Sequence, residues 1–309
     1  MSAFDAETFN TLFLGRLDEP GGLEKAAKAG GAYVRLRLRE KAVNRGVLPP
    51  ETVTKEDCQR STQHDLLTKI VDIEPNSTAA ALNFRGQSNL NYIQGRRYEI
   101  PFFKIGSERF EADEGELMAS DFPITKVIED QSVRDMDRIE DQQFFEACRQ
   151  IANNATFNQT LAAAGPITRA FLANCINVME DAQELAVDTV VMHKSDWNDY
   201  NTLPATDIGD QLASEVVVNG YKYNQIAGHK LIVTIKNLAS TAGVQLLGPA
   251  AGSSNIWFFA APNYLGNSYL LGDVRFYIEK RGPSVSFESW YYRGMGIGNG
   301  NAIVQGTLT

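Results

Sequence analysis

The chain has 309 residues and a formal net charge of −9, with 43% hydrophobic and 22% charged side chains. That balance suits one large mixed core or two modest ones and excludes collagen-like, low-complexity and disordered classes, while the acidic excess disfavours tight binding of nucleic acid to the exposed surface. Apolar runs such as Ile256–Pro262 fall far short of the roughly 20 residues that span a bilayer, and Met1–Asn10 carries Asp5 and Glu7 with no basic start, so no membrane segment or secretory signal is expected.

In the first 60 residues, Gly15, Gly21, Gly22, Gly30, Gly31, Gly46 and Pro49-Pro50 interrupt the chain too often for long elements, apart from a helix between Leu23 and Lys28. The pattern predicts an arm held down by neighbouring subunits rather than by its own apolar content. Within it, Tyr33–Arg39 alternates apolar and basic residues, the period of a strand with one wet face. Arg35, Arg37 and Arg39 would then meet phosphate or an acidic partner, or form an ordinary solvated face. The acidic stretch Glu111, Asp113, Glu114 and Glu116 is a plausible partner across a subunit boundary.

Residues 83–125 read as a long two-stranded excursion, with strands around Tyr98–Ile105 and Arg109–Phe110 and turn points at Gly95, Gly106 and Gly115. Arms of roughly 15 to 20 residues would reach some 50 to 65 Å, beyond the radius of a compact domain. Phe102, Phe103, Ile105 and Phe110 exposed together would be an aggregation liability, so a neighbouring subunit is expected to cover them.

Val127–Asn153 contains no glycine or proline and predicts the longest helix, about 40 Å. Met136 and Ile139, and Phe144, Cys148 and Ile151, recur at helical spacing and are expected to face the core. Arg134, Asp135, Asp137, Arg138, Glu140 and Asp141 interleave their charges without a histidine, which reads as a solvated, ion-paired face rather than an acid/base or metal cluster. A second helix is predicted over Pro166–Gln183 with the proline in its first turn, then a strand at Ala186–Met192 and a helix at Ser195–Tyr200 capped by Ser195. Strands follow at Glu215–Val218 and Leu231–Ile235. Val274–Ile278 and Val285–Tyr292 flank the turn Lys280-Arg281-Gly282-Pro283, and Ala302–Val304 adds a third strand.

Candidates for chemistry are few. His64, His193 and His229 stand in unrelated contexts, and although Ser195 and Asp196 follow His193 at a strand end, adjacent residues do not converge as a triad. Gly294-Met295-Gly296-Ile297-Gly298-Asn299-Gly300 lacks the last glycine of G-x-G-x-x-G and the Lys-Ser or Lys-Thr of a phosphate loop. Trp290, Tyr291 and Tyr292 lie in strand context and read as alternating core and interface packing. Cys58, Cys148 and Cys175 form no C-x-x-C pair and read as three reduced thiols.

The order of these parts resembles the major capsid proteins of tailed bacteriophages, with the Hong Kong 97-type fold. The most specific pieces are Asp188–Trp197, similar to the family's strand-to-helix step, Gly228–Val233, similar to its gly-x-x-hydrophobic strand, and Leu271–Arg281 followed by a second strand. The resemblance implies an α+β chain divided into an N-terminal arm and lead-in at 1–75, an extended loop at 83–125, a peripheral domain of 126–155 with 261–309, and an axial domain at 156–260. It implies no enzyme, cofactor or metal, and assembly of copies into hexamers and pentamers, in the host bacterial cytoplasm, as a virion capsid that encloses double-stranded DNA without reading its sequence.

Portal and scaffolding or decoration proteins are the further implied partners. Only some 80 residues precede the loop, leaving little room for a cleaved scaffolding segment. Arg35, Arg37, Arg39, Phe102, Phe103, Lys104, Ile105, Phe110, Glu111, Asp113 and Glu114 are the candidate intersubunit contacts. In some relatives a loop lysine bonds to an asparagine, but Lys104 has no nameable partner and reads as a surface lysine. Alternatives are an encapsulin, a cargo compartment of the same fold that usually begins with a helix, and an α/β hydrolase using the region around His193.

Overall fold

The computed structural model describes residues 6–60, 66–73, 96–120, 124–157, 159–201, 225–226, 228–249 and 253–309. The predicted strand at Glu215–Val218, residues 83–95 of the excursion and His64 lie outside the described residues.

The N-terminal segment departs most from expectation. It folds into α1 (Ala6–Leu17) and α2 (Gly22–Lys41), so Tyr33–Arg39 is helical rather than a strand. Leucine and arginine are good helix formers, and the burial obeys the helical repeat: Val34 and Leu38, four apart, are fully buried, whereas Leu36 is 57% exposed. The paired glycines that read as breakers mark a close approach instead. A side-chain carbon on Gly31 would lie 3.1 Å from the Val274 carbonyl oxygen, and one on Gly30 would lie 2.7 Å from the Phe276 ring.

After α2 come α3 (Val43–Val47), β1 (Glu51–Val53), β2 (Gln59–Arg60) and β3 (Leu67–Ile73), then β4 (Arg96–Gly106), β5 (Phe110–Asp113), α4 (Glu114–Ala119) and α5 (Ile124–Ala152). The central part holds β6 (Thr160–Ala163), α6 (Arg169–Gln183), β7 (Val187–His193), α7 (Lys194–Asn201), β8 (Gln225–Ile226), β9 (His229–Thr234), β10 (Leu238–Ala239), β11 (Gln245–Leu247) and β12 (Ser254–Ala260). The chain closes with β13 (Gly266–Arg281), β14 (Ser284–Ile297) and β15 (Ile303–Leu308).

Among the described residues these strands build two principal sheets. The seven-stranded sheet has the order β1-β13-β14-β4-β3-β2, with β5 also paired to β14. Its ribbon is formed by β3 and β4, from Thr68 opposite Pro101 to Ile73 opposite Arg96. The expected return strand at Arg109–Phe110 instead continues the line of β4: both β4 and β5 pair antiparallel with β14, at Trp290–Gly294 and Ser284–Phe287 respectively. The six-stranded sheet has the order β6-β15-β12-β7-β9-β8. All seven residues of β12 are buried, as a strand between β15 and β7 requires. The third terminal strand, β15, joins this sheet rather than the β13–β14 hairpin.

Helix α5 serves two cores. Phe144, Phe145, Cys148 and Ala152 pack with α6 and the six-stranded sheet, whereas Ile128, Val133 and Met136 pack with α1, α2 and the β13–β14 hairpin. Phe144 meets Phe259 and Phe145 at ring separations of 5.5 and 5.2 Å, while Ile139, expected in the core, is 40% exposed. Two helix starts also differ from expectation. Pro166 precedes the cap of α6, which is Thr168, its hydroxyl accepting from the Phe171 N–H at 3.2 Å. At α7 the His193 ring, not Ser195, accepts a backbone N–H, that of Ser195, at 3.1 Å.

Candidate functional site

The residues expected at subunit boundaries divide between core and surface. Phe102 and Ile105 are 2% and 3% exposed: Phe102 packs with Val53, Ile100 and Tyr269, and Ile105 belongs to the hairpin core, against which Phe110 also lies. Of the four apolar residues expected to need a neighbour's cover, only Phe103, at 51%, stays exposed. Lys104 Nζ is 3.0 Å from Glu288 and 4.8 Å from the Trp290 ring centre, and Trp290 adjoins exposed Tyr277 at 6.0 Å.

The acidic stretch is engaged within the chain. Glu111 accepts from the Ser284 hydroxyl, Asp113 caps α4 through the Gly115 N–H at 2.9 Å, and Glu114 lies 3.7 Å from Lys280. Arg37 donates to the Tyr33 hydroxyl at 3.3 Å, and that hydroxyl donates to Asp130 at 2.7 Å. The side chains of Arg35 and Arg39 lie outside the described residues.

The largest concentration of charge was read from the sequence as solvated, and the structure buries it. Asp137, Glu140 and Asp141 are 3%, 0% and 0% exposed, while Arg134, Asp135 and Arg138 on the other face of α5 are exposed. The missed signal is periodic. Positions 133, 136, 137, 140, 141, 144, 145 and 148 form one buried stripe, and the carboxylates interrupt it between its two apolar halves.

Each carboxylate is met by groups from remote segments. Glu140 receives both arms of the Arg45 guanidinium at 2.9 Å, Arg293 Nη1 at 2.6 Å and the Tyr291 hydroxyl at 2.6 Å. Arg45 also lies 5.6 Å from the centre of the Tyr291 ring, and Arg293 donates to Asn44 at 3.0 Å and Ser268 at 3.2 Å. Asp141 accepts the Asn44 backbone N–H at 2.9 Å and side-chain amide at 2.7 Å, so it fixes the start of α3. Lys236 Nζ bridges Asp137 at 2.6 Å and Asp141 at 2.5 Å.

Burial would raise the Glu140 carboxyl, but Arg293 and Arg45 outweigh it and hold Glu140 below its ordinary value. Asp137 goes the other way: burial, helped by Asp141, pushes it up to about 6 against the pull of Lys236. Three cations thus face three carboxylates in a largely buried set. The arrangement fixes segments to one another.

Around His193 the geometry is local. Nδ1 accepts the Ser195 N–H, and the Ser195 hydroxyl stands 2.7 Å from the same nitrogen, while Asp196 accepts from Ser254 at 2.7 Å. This is a helix cap, with the carboxylate held by the Ser254 hydroxyl and the His193 backbone N–H. The glycine-rich stretch runs from the end of β14 into a turn and is no phosphate loop: side-chain carbons on Gly294 and Gly296 would lie 3.0 and 2.8 Å from Ile100 side-chain atoms, so the glycines let Ile100 of β4 lie against β14. Among the described residues, no helix is long and apolar enough to cross a membrane.

No protein-family model and no curated protein sequence matches the chain. Solved structures do. The asymmetric unit of the bacteriophage PhiM1 mature capsid aligns with a TM-score of 0.58 at 10% identity, covering 87% of this chain and 87% of that one. The capsid of a native GTA particle aligns at 0.57 with 14% identity, covering 90% of each chain. A virus-like particle from Pyrococcus furiosus aligns at 0.50 with 13% identity, covering 93% of this chain and 99% of that one. The chain therefore has the α+β fold of Hong Kong 97-type capsid subunits.

Proposed function

We propose that this chain is the major subunit of an icosahedral shell, a structural and non-enzymatic protein that assembles with copies of itself into hexamers and pentamers and encloses a phage genome. The carrying observation is the extent of the structural likeness, which covers 87% to 90% of this chain and of the capsid chains rather than a shared sub-domain.

The net charge of −9 suits a wall that holds double-stranded DNA without reading or gripping it. In this reading the arm and lead-in (1–75), the extended loop (83–125), and Phe103 with Lys104 on it, make the contacts between subunits, and portal and scaffolding or decoration proteins complete the particle. Assembly takes place in the host cytoplasm, and the location is the virion capsid.

The second reading is an encapsulin-type cargo compartment, a shell of the same fold. The N-terminal helix α1 does not separate it from the first. Phage and GTA capsids among the similar structures weigh towards the virion. Electron microscopy of the purified native particle tests both readings. A DNA-filled shell supports the first, a protein-filled shell the second, and a soluble species that forms no shell under any assembly condition overturns both.

A further inference from the structure

The buried stripe of α5 is apolar on both sides of Asp137, Glu140 and Asp141, and the cations that meet those carboxylates come from different bodies. Lys236 follows β9 on the six-stranded side, Tyr291 and Arg293 belong to β14 of the seven-stranded sheet, and Asn44 and Arg45 belong to α3. The carboxylates thus stand at a joint between the two sheets.

The members of this joint are not equally fixed. Glu140 and Asp141 are saturated by donors, whereas Asp137 accepts only from Lys236 through Oδ2, and its buried Oδ1 has no hydrogen-bond partner among the described residues. Lys236 has a route to water: its side chain is 22% exposed and its neighbour Ile235 is 77% exposed.

We propose that Asp137 and Lys236 form a proton-operated latch: with Asp137 ionised, two carboxylates hold Lys236 against α5, and a solvent proton taken up on Oδ1 releases one of them and loosens the 235–239 segment. The three-to-three balance of Arg45, Arg293 and Lys236 against Asp137, Glu140 and Asp141 then gives way to an excess positive charge, and Lys236 is the cation able to move outward. The facing groups support this assignment. Asp141 and Glu140 repel a charge on Asp137 and Lys236 attracts it, while Arg45, Arg293 and Tyr291 act on it through Glu140. From α2, Tyr33 donates to Asp130 and Arg37 to Tyr33, and β10 and β11 bring no titratable side chain.

With the carboxyl raised to about 6, the transition falls in mildly acidic solution. A group whose value is raised on folding binds its proton more tightly in the folded chain, so its protonation adds to global stability. When Lys236 leaves while Asp137 stays buried beside Asp141, the loosened form binds the proton more tightly still, so acid favours it and the loosening is confined to the 235–239 segment.

Hydrogen–deuterium exchange of the full-length chain, with assembly state matched by sedimentation, tests this at about pH 7.5 and about pH 5, after correction for intrinsic exchange rates. Wild-type exchange over 235–239 should rise about tenfold in acid, the scale of one lost charge-assisted hydrogen bond, while β12 stays unchanged. The midpoint should lie at about 6. Asp137→Asn should exchange at the higher rate at both pH values. The same protection of 235–239 at both values in the wild type, or a wild-type midpoint retained in Asp137→Asn, overturns the proposal. The wild-type titration decides alone if that variant does not fold. Because the assay reads one segment within the subunit, its failure leaves the shell reading untouched.

Discussion

Arg45 and Glu140, 95 positions apart in the sequence, form a bidentate pair with both contacts at 2.9 Å and side chains 3% and 0% exposed. The pair ties the end of the N-terminal helices to the middle of α5. Glu140 is the anion shared by this set: removing Arg45 leaves it Arg293 and Tyr291, whereas removing Glu140 leaves two buried guanidiniums without their carboxylate. We predict that Glu140→Leu lowers subunit stability by about 3 to 5 kcal/mol, that Arg45→Met lowers it by less, and that adding Arg45→Met to Glu140→Leu restores part of the larger loss. A denaturation series on the two single variants and the double variant gives the coupling. Strict additivity would show that the pair contributes nothing as a unit.

Phe144 and Ile139 lie on the same helix and were expected in the same core, yet one is fully buried and the other 40% exposed. Phe144→Ala should cost about 3 to 5 kcal/mol, with Ile139→Ala within about 0.5 kcal/mol of wild type. Urea midpoints of the two variants measure the contrast, and equal midpoints would place both side chains on one face.

Long, strongly periodic elements were legible in the sequence. The spine helix, the β13–β14 hairpin and the buried β7 strand stand close to their predicted positions because each has a repeat that suits one secondary structure. The N-terminal segment was not legible, because Tyr33–Arg39 satisfies both periods over seven residues and the choice is made by β13, which receives Val34 and Leu38. The charge joint was hidden for a related reason: Asp137, Glu140 and Asp141 alternate with exposed charges, and their burial depends on Arg45, Lys236 and Arg293 from distant segments.

The helical reading of that segment has its own test. In a strand, residues 34, 36 and 38 would share a face, whereas in α2 only Val34 and Leu38 do. Leu38→Ser should destabilise by about 2 to 5 kcal/mol and Leu36→Ser by less than about 0.5 kcal/mol. Because Val34, Leu38 and Arg45 complete the subunit's own core, deletion of residues 1–60 is expected to give aggregated rather than folded chains. Circular dichroism and size-exclusion chromatography check this, and a folded truncated subunit would show that α1 and α2 only lie on a finished core.

A second pH effect belongs to Glu129, on the part of α5 that faces Gly30 of α2. Burial, with repulsion from Asp130, raises its carboxyl to about 7. The folded chain binds this proton more tightly than the unfolded chain, so the contribution is present in acid and is lost as pH rises through about 4.5 to 7. Glu129→Gln removes the charge and keeps the shape. Its melting temperature should exceed that of the wild type at about pH 8, and the difference should shrink towards about pH 5 as the wild-type carboxyl takes up its proton. A difference independent of pH would show that the glutamine acts through packing.

Phe102 and Phe103 separate subunit folding from shell assembly. They are adjacent on β4, so their side chains point to opposite faces; Phe102 packs with Ile100, Val53 and Tyr269, while Phe103 is 51% exposed. An exposed aromatic beside Lys104 has no role in the subunit's own core, and burying it at an interface would be worth about 1.5 to 3 kcal/mol per contact. Repeated around a closed shell, that amount decides whether the shell persists. We predict that Phe102→Ser destabilises the subunit by about 3 to 5 kcal/mol, whereas Phe103→Ser melts within about 0.5 kcal/mol of wild type but yields few closed particles. Thermal melts of dissociated subunits and particle counts by electron microscopy measure the two effects separately. Normal shells from Phe103→Ser would place the intersubunit contact elsewhere on the surface, and a destabilised subunit would place its ring in the core.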